Sequence, residues 1–135
     1  MPLINWNDRM SVNIAEIDMQ HQKLVKLLND LYDDMKKGQG IDVISKTVKE
    51  LVNYAKIHFK TEEDYFDQYE YPEADNHRRT HSVFTDKIFQ FKNNLKQKDA
   101  GLPFDVIQFM SLWLKDHILE TDKKYSNFLN EKGLK

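Results

Sequence analysis

Cysteine is absent from this chain. That excludes disulfide cross-links, thiolate chemistry and iron–sulfur clusters together. No apolar run approaches the roughly 20 residues a helix needs to cross a bilayer. The opening residues, MPLINWNDRM, lack a charged start followed by an apolar stretch, so no secretion signal is expected and a cytoplasmic location is. The net charge of −2 gives no electrostatic footprint for nucleic acid or for an anionic membrane. Only four glycines and three prolines occur, and they fall between periodic segments, where helix breaks belong. What remains is 40% hydrophobic and 31% charged residues over 135 positions, enough for one domain, 1–135, with a real core.

The hydrophobic pattern steps by threes and fours, the period of a helix seam, and no strand signal, repeat or low-complexity stretch interrupts it. His21, Leu24, Leu28, Leu31 and Met35 predict a first helix over about 18–37, with Asp18 as its N-cap. Ile44, Val48, Leu51, Ala55, His58, Glu62 and Phe66 predict a second over about 42–68. Tyr71-Pro72 is expected to start a third, with His77, His81, Phe84, Ile88, Phe91 and Leu95 inward and the polar stretch 97–101 closing it. The fourth starts near Pro103 and carries Val106, Met110, Trp113 and His117 inward. A lead-in bearing Trp6, Val12, Ile14 and Ile17 is expected to lie against the bundle, and a short last helix to end near Gly133. Charged runs at 33–37 and 93–99 read as solvated faces and loops. Four amphipathic segments with short connections predict an all-α, antiparallel up-down-up-down four-helix bundle with an N-terminal arm.

All five histidines occupy inward seam positions, which packing alone explains poorly. His58 and Glu62 are spaced i,i+4, as are His77 and His81, so each pair shares one helix face. Glu62 is a carboxylate on an apolar stripe, costly there unless paired or metal-bound, whereas Glu63 and Asp64 read as solvent-facing. The inward residue after His117 reads best as Asp122, one position late. At i,i+5 the two would lie about 140° apart on a regular α-helix. They reach one centre only if the helix is broken, bent or π-bulged, and the irregularity is expected within 118–121. His21 lies early on its helix, His58 and Glu62 late, His77 and His81 early, His117 and Asp122 late. An up-down-up-down bundle brings all seven to one end.

Imidazole with carboxylate suits iron, zinc, copper or manganese. Zinc prefers four ligands, so a seven-residue set favours iron. If both carboxylates bridge two ions and one oxygen bridges as well, two octahedral ions are filled except for a single position. That position suits one small guest. The residues three before the histidines are Asp18, Ala55, Ala74, Arg78 and Leu114, so the Glu-x-x-His pattern of ferritin-like di-iron bundles is missing.

The segments MQHQKL, HFKTEEDYFDQYEYPEADNHRRTH and WLKDHILETDKKY, with the early NW element, closely resemble the hemerythrin family over essentially the whole chain. The resemblance implies one iron held by His77, His81 and His117 and a second held by His21 and His58. Glu62 and Asp122 would bridge them together with an oxo or hydroxo group. It implies reversible dioxygen binding at the ion with fewer histidines, without a side-chain acid or base. It also implies a dry pocket lined by Leu24, Phe59, Trp113, Leu114 and Ile118, each of which reads equally as core. Phe66 departs from the methionine often found there. A di-iron enzyme reducing peroxide or nitric oxide, or a module whose metal state is read by a partner, stands as the alternative. No added signalling domain favours the latter, and the sequence names no protein partner.

Overall fold

The computed structural model describes residues 3–95 and 101–135, apart from the side chains at 41, 120 and 121. The polar stretch expected to close the third helix, except Gly101, and most of the charged run at 93–99 lie outside the described residues. Helix α1 spans Ala15–Lys36, α2 Gly40–Tyr69, α3 Ala74–Asn94 and α4 Leu102–Trp113. A π-helical segment, Leu114–Thr121, leads directly into α5, Asp122–Glu131. A 3-10 turn at Asp8–Met10 precedes α1, and no strand occurs among the described residues.

Helix α1 packs on α2, α2 on α3, and α4 on all three. The result is the antiparallel up-down-up-down bundle that the seams predict. No described helix is long and apolar enough to cross a membrane. The expected seams are buried almost throughout, with Met35 and Leu95 half-covered.

Helix ends follow local chemistry. Beyond α1, Gly38 takes φ 75° and the Gln39 N–H reaches back to the Asp34 carbonyl at 2.8 Å. The Gly38 N–H meets the Met35 carbonyl, which completes a left-handed helix stop. Gly133, at φ 97°, ends α5 in the same way, with Leu134 N–H on the Leu129 carbonyl. Glu70 closes α2 at φ 55° although it is not glycine. Pro72 stays in the turn before α3 instead of entering its first turn, so α3 starts later than expected.

The start of α1 also differs. Its N-cap is Ile14, and Asp18 lies inside the first turn. The Asp18 carboxylate accepts the Ser11 hydroxyl at 2.5 Å and the Val12 N–H at 2.8 Å, so it fastens the arm instead of capping the helix. From the other side, the Ser126 hydroxyl donates to the Val12 carbonyl at 2.6 Å, and Asn130 and Lys123 donate to the carbonyls of Asn13 and Ser11. Val12, Ile14 and Ile17 are thereby buried with Phe66, Tyr71, Tyr125 and Leu129 in a second apolar cluster, separate from the long core of the bundle. Trp6 is half-buried against that long core.

Asp18→Ala removes both carboxylate acceptors from the arm. The urea midpoint should fall by an amount worth about 2 kcal/mol, with an unchanged slope. An unchanged midpoint would show that apolar contact alone holds the arm.

Candidate metal centre

The seven donors named from the sequence converge at one end of the bundle. Each is 3% exposed or less, and Glu62 and Asp122 are fully buried. They fall into two groups. Glu62, His77, His81 and His117 form one, and His21, His58, Glu62 and Asp122 the other, with the ligand atoms of each group within 4.8 Å of one another.

The carboxylates join the groups by dividing their oxygens. Asp122 Oδ2 lies 3.1 Å from His21 Nε2, while Oδ1 lies 3.1 Å from His77 Nε2 and 2.8 Å from His117 Nε2. Glu62 Oε1 contacts His58 Nε2 and lies 3.8 Å from His21 Nε2. Its Oε2 lies 3.0 Å from His77 Nε2 and 3.6 Å from His81 Nε2.

His117 and Asp122 meet because the backbone between them is π-helical. The Asp122 N–H bonds to the His117 carbonyl, the i,i+5 closure that defines such a turn. The irregularity is wider than 118–121, beginning already at Leu114.

The donor set fits a metal pair. Glu62 Oε1, both Asp122 oxygens, His81 Nε2 and His117 Nε2 are buried and make no hydrogen bond, although ionic partners lie within 4 Å. Short separations with poor hydrogen-bond angles are what lone pairs produce when they aim at points between the donors. Fully buried polar atoms otherwise find partners.

Without metal, protons balance the charge. Burial alone would lower the His21 pKa, but the Asp122 and Glu62 carboxylates beside it outweigh that and raise it to about 9. The same competition raises His77 to about 9. Burial holds His58 below its usual value against the pull of Glu62. Burial would raise both carboxyls, yet the surrounding histidines hold Glu62 and Asp122 well below the usual range.

Aromatic rings fix the imidazoles. Tyr54 stacks on His58 at 5.1 Å and Trp113 on His117 at 4.0 Å, each from one turn earlier on its own rod. Phe59 stacks on His81 at 3.8 Å, and Phe66 meets His77 edge-on. Of the five expected pocket residues, all are buried in the long core. Phe59 and Trp113 lie flat against the three-histidine group; Tyr54, which the sequence reading passed over, covers the two-histidine group at His58.

Two further side chains escaped the sequence reading. Gln20 Oε1 lies 2.6 Å from His58 Nδ1. Glu63, expected to face solvent, lies 3.3 Å from His81 Nδ1 and 3.2 Å from Arg78 Nε. Glu63 is legible as the residue beside Glu62, but Gln20 meets His58 across 38 positions, a pairing no local pattern reveals.

The chain matches the family model described as the hemerythrin HHE cation binding domain over residues 12–129. A bacteriohemerythrin of Clostridium acetobutylicum is 32% identical over 89% of this chain and 96% of its own. A hemerythrin-like protein of Naegleria gruberi is 34% identical over 93% and 92%. A crystal structure of a hemerythrin point mutant superposes with a TM-score of 0.84 at 25% identity, covering 94% of this chain and 97% of the other.

His21 and His77 keep their protons up to about pH 9 in the metal-free chain, so an incoming cation must displace them. Loading at pH 7.5 should release about two protons to an indicator dye, and apparent affinity should weaken as pH falls from 9 to 6. Proton-neutral, pH-independent loading would contradict this assignment.

Proposed function

We propose, for a chain that belongs to the hemerythrin family, that it works as one domain holding two iron ions and binds dioxygen reversibly, for storage, delivery or sensing. The observation that carries the reading is the division of Glu62 and Asp122, each of which turns one oxygen toward His21 or His58 and the other toward the His77 group. In this reading His77, His81 and His117 hold one ion, His21 and His58 the other, and the two carboxylates bridge. Iron, when bound, supplies a reversible change of oxidation state and one open coordination position.

The chain's own residues supply everything else. Five neutral imidazoles against two carboxylates make a donor set less suited to highly oxidised iron than an acid-rich one, which favours reversible binding over oxygenation. Leu24, Phe59, Trp113, Leu114 and Ile118 are buried, and in this reading they line the pocket and keep water and anions from the ligands. Beside the ligands, Tyr54 and Tyr125 are buried, and burial raises both phenols well above their usual pKa, so they stay protonated at neutral pH. Neither acts as a base, and reversible dioxygen binding requires none.

Metal analysis should find two irons per chain. Anaerobic ferrous protein should gain visible charge-transfer bands on exposure to oxygen and lose them on degassing over many cycles. His77→Ala should abolish the pair of ions. Full retention of both ions in that variant would overturn the assignment. Fast turnover of peroxide or nitric oxide with a reductant, without reversible oxygen bands, would replace it with the enzyme reading.

A further inference from the structure

Behind the two histidine groups run two hydrogen-bonded chains of different electrical character. The first is neutral. The Thr61 hydroxyl donates to the Ile57 carbonyl at 2.8 Å. Its oxygen is then free to accept, and the Gln20 Nε2–H donates to it at 3.1 Å. That fixes the Gln20 amide with Oε1 toward His58, whose Nδ1 lies 2.6 Å away. A carbonyl oxygen only accepts, so His58 Nδ1 must carry the proton. Its Nε2 is left bare and faces the two-histidine half of the centre. The direction of every bond in the chain follows from the Ile57 carbonyl, which has no proton to give.

The second chain is charged. Glu63 Oε2 accepts from His81 Nδ1 at 3.3 Å, which turns His81 Nε2 toward the three-histidine half. Glu63 Oε1 receives Arg78 Nε at 3.2 Å, and Arg78 also pairs with Asp67 and Asp75. With three acids around one guanidinium, the cluster as a whole stays anionic behind His81.

We propose that Gln20, oriented by Thr61, and Glu63, held by Arg78, are positioning residues that give the two halves of the centre unequal donor strength. The acceptor is neutral behind His58 and anionic behind His81. An imidazole whose N–H faces a carboxylate is the stronger donor through its other nitrogen. The three-histidine half would therefore hold its ion more tightly and favour the oxidised state. The two-histidine half would keep the weaker donor, which suits an ion that is more readily reduced. This inference rests on the proposed iron centre for its consequences, but not for its hydrogen bonds.

Two sets of measurements on the full chain separate these. The ring N–H proton resonances of His58 and His81 are read in the metal-free chain and after loading with zinc(II), a diamagnetic probe. Thr61→Val is nearly isosteric and should shift the His58 N–H signal, while Thr61→Ser should restore it. Glu63→Gln should shift only the His81 signal. In iron-loaded protein, Gln20→Leu and Thr61→Val should weaken iron(II) affinity by about 10-fold or more. Gln20→Glu should lower the reduction potential and Glu63→Gln raise it. An unmoved His58 signal in Thr61→Val, or potential shifts of the opposite sign, would overturn the inference. A chain that takes up no iron defeats the proposed function alone, and the ring N–H signals then decide this inference by themselves.

Discussion

Two carboxylates with no solvent exposure lie at the centre of one end of this bundle. Removing a carboxylate from water costs several kcal/mol after relaxation, so the surrounding residues must return that energy or the fold fails locally. Five histidines do so in either state. In the metal-free chain, His21 and His77 lend protons to Glu62 and Asp122. With cations bound, the same nitrogens turn lone pairs inward and the cations take over the charge balance. The site is therefore a competition between protons and metal for one set of buried donors, and folding of this end is coupled to which of them wins.

The division of labour along the bundle follows. The long apolar core runs through Leu28, Leu31, Val48, Ile88 and Met110. The ligand end has a separate cover, in which the arm residues Val12 and Ile14 join Tyr125 and Leu129. That cover is pinned by backbone and side-chain hydrogen bonds on both flanks, from Asp18 on α1 and from Ser126 on α5. A dry site at the end of a bundle requires such a lid, because helix ends expose polar backbone that would otherwise admit water.

The bundle and the convergence of the seven candidate ligands were legible in the sequence because both obey local periodicity. Seams stepping by three and four placed His21, His58, His77, His81 and His117 inward, and the lone misfit, Asp122 one residue late, pointed to the π segment. What escaped depends on tertiary partners. Asp18 looks like an N-cap because a cap and a tertiary acceptor use the same short carboxylate. Glu63 looks solvated until Arg78 and His81 are brought beside it. Tyr54 lies one turn before His58 but outside the seam residues expected on α2, and only the folded chain shows its ring flat against the imidazole. Gln20 next to His21 carries no periodic signal at all.

The π segment links these levels. On a regular α-helix, Asp122 would point about 140° away from His117 and could not share its partners. The wider turn lets Asp122 turn Oδ1 to His117 and His77 while Oδ2 reaches His21 across the bundle. A segment of this kind has poorer helical geometry than its neighbours and persists only where surrounding contacts over-determine it. Here Trp113 stacked on His117, the buried Ile118, and Tyr125 packed against His77 hold it from both ends. Backbone irregularity, aromatic packing and buried charge are thus one linked arrangement: relaxing the turn to regular α-helix would withdraw Asp122 from both histidine groups and leave their nitrogens facing a single carboxylate.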